Sequence, residues 1–291
     1  MAPSARRRAL ALAVLAAAGA GPARAWLTSG HRRVTIDAVG LLPAELPRFF
    51  RRGAATAGHA AIDPDLWRHR DTPELAERVA PEHFLDLELL RGAALPDARS
   101  DYLKLLARLG VEPRRAGALP YAVVEGAERL ALVFAEHRRW PADEAIRAKC
   151  LLHAGWLAHY AGDLTQPLHT TIHHDGRALA NGEPPFTGIH RRVDALFGRL
   201  PRGLSLPLAE APTPIAELVL AVRAELAASH ALVDAVYALE SQLMTERRAV
   251  DARVAALAAE RYRATARFVA GVLLWSWRRS AELELPEWLE R

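Results

Sequence analysis

The sequence predicts an all-α fold, and two observations carry that expectation. Apolar residues recur at three- and four-residue spacings through most of the chain, and alternating strand patterns are nearly absent. Of the 291 residues, 51% are hydrophobic, enough to fill a large core. Residues 1–25 read as a signal peptide: Arg6, Arg7 and Arg8 precede the apolar run ALALAVLAAAGAG, and Ala23 and Ala25 form an A-x-A cleavage site. The mature chain would then start at Trp26, with residues 26–291 as one secreted or periplasmic domain. Short helices fit 30–39 and 43–52, and 53–83 reads as irregular. Helices at 97–109 and 120–138 follow. Pro141 and the stretch ADEAIRAKCLLHAGWLAHYAG read as a helix with proline at its start and acids in its first turn. Pro167, Gly176, Asn181, Gly182, Pro184 and Pro185 make 164–187 a second irregular stretch. In PTPIAELVLAVRAELAASHALVDAVYALE, residues Ile215, Leu218, Val219, Val222, Leu226, Val233 and Val236 form one buried stripe of a long helix. A last helix runs over 248–279.

Charge and cysteine usage narrow the partners. The full chain carries 38 Lys and Arg against 34 Asp and Glu. The leader holds Arg6, Arg7, Arg8 and Arg24 and no acid, so its removal leaves 34 of each sign. Overall charge therefore gives no argument for nucleic-acid affinity, and any anionic partner must be held locally. Cys150 is alone and reads as a small buried hydrophobe on a helix, so no intramolecular disulfide can form. FVAGVLLW, at 268–275, reads as core helix, and beyond the leader no apolar run reaches the length of about 18 residues that a transmembrane anchor needs.

Within HYAGDLTQPLH, at 159–169, His159 and Asp163 are four residues apart. That spacing is about 400° of helix rotation, so both face the same way one turn apart, as a two-ligand clip. Pro167 disfavours helix at Gln166 and lacks a donor of its own, so the helix must stop and His169 can aim elsewhere. GIHRRVDALF repeats the clip with His190 and Asp194, and offers Ile189, Val193 and Leu196 for packing. Imidazole with carboxylate and no thiolate suits zinc in a hydrolytic site, with manganese and iron open on ligand type alone. Five ligands exceed one tetrahedral zinc. Either clip by itself could be a surface helix pair; two clips around a proline-broken histidine argue for a metal site.

These residues resemble the core motif of the superfamily that joins zinc-dependent phospholipases C with the single-strand nucleases of moulds and plants. The resemblance rests on His159, Asp163, the QPLH ending at His169, and the HRRVD holding His190 and Asp194. It implies a single multi-helix domain and a mature N-terminal tryptophan whose amine and carbonyl oxygen bind metal. Trp26 and the WLTSGH that brings His31 fit that demand. It also implies an aspartate and a histidine before the core motif. DPDLWR and EHFLDLE supply Asp65 and His83, with Asp63 and Asp71 as nearby alternatives to Asp65. Arg68 favours Asp65, because nucleases of the family place an arginine three residues after that aspartate, facing the phosphate. Carried over, the resemblance implies three zinc ions per chain. Asp65, His83, His159 and Asp163 would hold the first, Trp26, His31 and a bridging Asp163 the second, and His169, His190 and Asp194 the third. Asp65, Arg68 and Asp163 would be catalytic, with metal-bridging hydroxide attacking a phosphodiester.

Two features lean toward nucleic acid. The five-residue step from Trp26 to His31 resembles the nuclease branch, and Phe84 and Asp86 fill positions where nucleases stack and hydrogen-bond a base. The expected activity is a single-strand-specific endonuclease, with 3′-nucleotidase activity as a second reaction, acting as a monomer on single-stranded nucleic acid or nucleotides. A zinc-dependent phospholipase C acting on phospholipid head groups is the alternative, and a non-catalytic helical metal-binding protein is a third reading. The chain departs from the nucleases after His169, where TTIHHDGRALANGEPPFTG replaces a glycine-rich asparagine segment. His173 and His174 lie there, on the side of the site, as candidates for a substrate role.

Overall fold

The computed structural model describes residues 28–200, 211–245 and 250–289; the expected leader and Trp26 lie outside the described residues. The fold is all-α. Among the described residues there is no strand, only isolated bridges pairing Leu85 with Gly117 and His174 with Gly176. Eight helices position the site: α1 (Thr28–Gly40), α2 (Ala54–Ala60), α3 (Asp63–Leu66), α4 (Leu119–Arg139), α5 (Glu144–Leu164), α6 (Ile189–Asp194), α7 (Leu218–His230) and α8 (Ala252–Arg279). None of the described helices is long and apolar enough to cross a membrane.

Helix α5 is the central element and packs against α4, α2, α8 and α1. Its start is set by Asp143, whose carboxylate accepts from the backbone N–H groups of Ala145 (2.8 Å) and Ile146 (3.1 Å). Pro141 therefore lies just outside the helix rather than in its first turn. The close approach of α2 needs Gly155: a Cβ there would sit 2.4 Å from the Ala57 carbonyl oxygen. The larger core gathers Phe50, Tyr102, Leu106, Phe134, Leu157 and Phe268 around α4 and α5. Cys150 is buried in it, where desolvation pushes its thiol up to about 12. A second core unites Val34, Leu168, Ile189, Val193, Phe197 and Tyr262 under α6 and α8. His159 and Asp163 thus rise from the first core, while His169, His190 and Asp194 are interleaved with residues of the second.

Three expectations are corrected. The stretch 53–83 is not irregular: it folds into α2, α3, Pro73–Val79 and a 3-10 turn at Ala80–His83. Pro64, Pro73 and Pro81 sit in the first turns of the last three, where a missing donor costs nothing, so they start helices rather than break them. The expected helix at 43–52 shrinks to Arg48–Arg52, begun at Pro47. The long helix expected from 212 is broken into α7, Val233–Tyr237 and Glu240–Met244. Its stripe still packs inward, with Leu218, Val222, Leu226, Val233 and Val236 buried and Ile215 and Val219 half-buried.

Candidate metal centre

Three groups of His and Asp side chains converge between these helices: His31, His159 and Asp163; Asp65, His83 and His159; and His169, His190 and Asp194. In each group the ligand atoms lie within 4.8 Å of one another, and all but Asp65, which is partly exposed, are buried. The sequence places them from six segments. His31 comes from α1, Asp65 from α3, His83 from the end of a 3-10 turn, His159 and Asp163 from α5, and His190 and Asp194 from α6. Pro167 ends α5 and opens a 3-10 turn, Pro167–His169, that carries His169 toward the third group.

The tautomers are fixed by backbone carbonyls. His159 Nδ1 donates to Ala61 O at 2.8 Å, His169 Nδ1 to His83 O at 2.5 Å and His190 Nδ1 to His174 O at 3.2 Å. At His169 and His190, which burial keeps below the ordinary imidazole value, Nε2 then carries a lone pair rather than a proton, whereas at His159 burial is outweighed by the facing Asp163 carboxylate, which raises the imidazole. Yet His169 Nε2 and His190 Nε2 face each other at 3.1 Å, and His190 Nε2 faces Asp194 Oδ2 at 3.3 Å. Lone pairs aimed at one another across such gaps repel unless a cation lies between them. Two zinc ligands at tetrahedral bond lengths are about 3.3 Å apart, so the spacing fits zinc.

Asp163 divides its oxygens between two sides. Oδ1 lies 3.2 Å from His31 Nε2, while Oδ2 lies 3.1 Å from His83 Nδ1 and 3.3 Å from His159 Nε2. Neither His31 nitrogen makes a hydrogen bond, although both are buried. The His31 ring stacks on His159 at 4.1 Å, and Gly162 makes room for it, since a Cβ there would meet His31 Nδ1 at 3.2 Å. Burial alone would raise the Asp163 carboxyl, but the facing His159 and His169 imidazoles hold it well below the usual range. Desolvation pulls the His83 imidazole down to about 3, so it stays neutral and keeps a lone pair to offer. In the third group burial pushes Asp194 well above, and His190 well below, their ordinary values. An ionised carboxylate at Asp194 needs a cation beside it.

The structure also separates the candidate acids. Asp63 accepts from the Trp156 indole at 2.9 Å and is turned away, Asp71 is exposed, and Asp65 joins His83 and His159. Arg68, 16% exposed, reaches Asp65 Oδ1 at 3.4 Å beside this group. Phe84 is half-buried and Asp86 buried. Burial, reinforced by Glu88, pushes the Asp86 carboxyl up to about 8. Trp26 lies outside the described residues. His173 Nδ1 accepts from the Ala178 N–H at 2.9 Å and so shapes the loop, while the His174 carbonyl orients His190. His153 contacts the Trp156 ring at 4.9 Å and stays outside the three groups.

Sequence reasoning gave Gln166 no role. Its side-chain oxygen accepts from Leu168 N–H at 2.5 Å, and its Nε2 donates to Asp194 Oδ1 at 2.8 Å. It therefore ties the proline turn to the third group. Its place immediately before Pro167 was the available signal, because a residue held extended there can cap the turn with its own side chain.

No family model and no curated protein matches this chain. Among solved structures, the alpha toxin from Clostridium absonum is similar over 90% of this chain, with 14% sequence identity and a TM-score of 0.48, and this chain spans 65% of the toxin's length.

Proposed function

We propose that the chain is an exported zinc-dependent hydrolase of phosphodiesters, of the superfamily joining zinc phospholipases C and single-strand nucleases, acting as a single-strand-specific nuclease. One observation carries the reading: three His/Asp groups converge in one buried region with their imidazole lone pairs aimed at shared points. Asp65, His83, His159 and Asp163 would hold the first zinc, His169, His190 and Asp194 the third. Cleavage after residue 25 would free the Trp26 amine, which with its carbonyl oxygen, His31 and Asp163 would hold the second. The proposed working unit is a monomer of residues 26–291. Divalent cations so held acidify water and withdraw charge from a phosphoryl group.

The chain's own groups supply orientation and recognition. The Arg68 guanidinium, which pairs with Asp65 at 3.4 Å, would pair with phosphoryl oxygens and add charge stabilisation as the ester bond breaks. Asp86 keeps its proton at neutral pH, so it can donate as well as accept a hydrogen bond at a base edge. Phe84 beside it would stack that base, a contact tolerant of sequence.

The test is metal analysis of the secreted, N-terminally sequenced protein, assayed in parallel on denatured DNA and phosphatidylcholine. The expected result is about three zinc ions per chain in tetrahedral-type sites, Trp26 as first residue, and chelator-sensitive cleavage of DNA. Hydrolysis of phosphatidylcholine alone would select the phospholipase reading. Full zinc loading without hydrolysis of either would leave a metal-binding protein without turnover.

A further inference from the structure

Beside the third group lies a loop, residues 173–188, that the nuclease reading does not use. Its backbone is held at many points. Asp175 Oδ1 accepts from the N–H groups of Gly188 (2.7 Å) and His190 (3.3 Å), and Asp175 O accepts from Thr187 N–H at 3.0 Å. Gly176 N–H donates to the Tyr237 hydroxyl at 3.0 Å, which in turn donates to His173 O at 2.5 Å. Glu183, farther out, pairs with Arg115 at 3.1 Å.

At the end of this pinned loop stands Phe186, with φ of +56° and 60% of its surface exposed. Left-handed backbone is seldom adopted by an aromatic residue and persists only where the surroundings enforce it. Exposing the ring forgoes its burial as well. Among the described residues, the other non-glycine residue in this conformation, Arg91, closes a 3-10 turn, with its N–H donating to Glu88 O. Phe186 closes no helix. Its ring stands 6.4 Å from the His174 ring, which stands 6.0 Å from the His190 ring. A row of rings thus leads from the third group outward to an exposed phenyl.

We propose that Phe186 is a specificity-determining residue, presenting its ring at the mouth of the His169, His190 and Asp194 group to stack on a nucleobase of the strand whose phosphate lies there. The inference rests on the nucleotide reading above. It differs from the part played there by Phe84 and Asp86, which come from another segment and would serve a different base. The ring is apolar and largely exposed, with the His174 ring at its edge, and single-strand binding uses such surfaces one base at a time.

Phe186→Gly makes the test, because it removes the ring and also relieves the backbone. A ring that served the fold would be missed in thermal unfolding, whereas here the melting temperature should stay level or rise. The readout is fluorescence anisotropy of a labelled, hydrolysis-resistant phosphorothioate single strand on the zinc-loaded protein. Phe186→Gly should weaken binding about 5- to 100-fold and raise KM more than it lowers kcat, and Phe186→Trp should restore both. Unchanged strand binding in Phe186→Gly, or a lowered melting temperature with no rescue by tryptophan, overturns the assignment while leaving the nuclease reading in place. Failure of the unsubstituted protein to bind the strand, with binding to phosphatidylcholine vesicles instead, overturns both.

Discussion

Replacing Asp163 by asparagine keeps the side chain's shape and removes its charge, which isolates what a shared carboxylate contributes. One oxygen faces His31 at 3.2 Å and the other faces His83 and His159 at 3.1 and 3.3 Å, so the two cations proposed there would weaken together. A unit charge about 4 Å from a cation is worth about 4 kcal/mol at an effective dielectric near 20, or roughly three powers of ten in affinity. A site occupied at about 100 times its Kd stabilises the fold by about 2.7 kcal/mol. For a domain of this size that is a rise of about 5–11 °C per cation. Calorimetry with and without zinc, alongside mass-spectrometric metal counts, reads both quantities. Asp163→Asn should lose about two of three zinc ions and their share of the thermal shift, and His190→Ala about one, because only the first touches two seats. Activity should follow the same order. Equal or smaller losses in Asp163→Asn than in His190→Ala would refute the bridging assignment.

Gln166→Leu, which removes the 2.8 Å donor to Asp194, should weaken one zinc about 10- to 100-fold by chelator competition and spare the others. Asp86 should leave a pH signature. Its carboxyl is pushed up to about 8 in the fold, against about 3.9 in an unfolded chain. The folded state therefore binds this proton more tightly. The stability it contributes is whole below about pH 4 and lost as pH rises through about 8, by an upper bound of about 6 kcal/mol. Denaturant unfolding of Asp86→Asn should lack that slope, and subtracting it from the unsubstituted protein removes parallel contributions from Asp194 and Glu225, which burial also raises. Gly155→Ala should lower stability by about 1–3 kcal/mol in thermal unfolding, because its Cβ would press on the Ala57 carbonyl.

Local spacing was legible in the sequence. The four-residue steps from His159 to Asp163 and from His190 to Asp194 fall on helices and bring each pair within 3.3 Å. The halt at Pro167 and the burial of Ile189, Val193 and Leu196 follow from the same local rules. What depends on tertiary contact was not legible. Asp63 and Asp65 differ by two positions on a one-turn helix, and only the indole of Trp156, 93 residues away, decides which carboxylate is left for the cluster. The stretch 53–83 read as irregular because a proline reads alike whether it ends a helix or opens one; here Asp63–Leu66 and the Ala80–His83 turn pack on α5, and Pro73–Val79 packs on that turn. The breaks after His230 and Tyr237 interrupt an apolar periodicity that continues through them. The carbonyls that set the imidazole tautomers belong to Ala61, His83 and His174, and a backbone oxygen leaves no mark in a sequence.

His83 belongs to two neighbourhoods at once. Its ring faces Asp163 and His159, while its carbonyl oxygen receives the Nδ1 proton of His169. A change confined to the imidazole disturbs one neighbourhood, whereas a shift of the peptide disturbs both, and no side-chain replacement reproduces that second effect. The short turn at Ala80–His83 thereby joins two of the His/Asp groups through a few ångströms of main chain, the ring serving one and the peptide orienting the other.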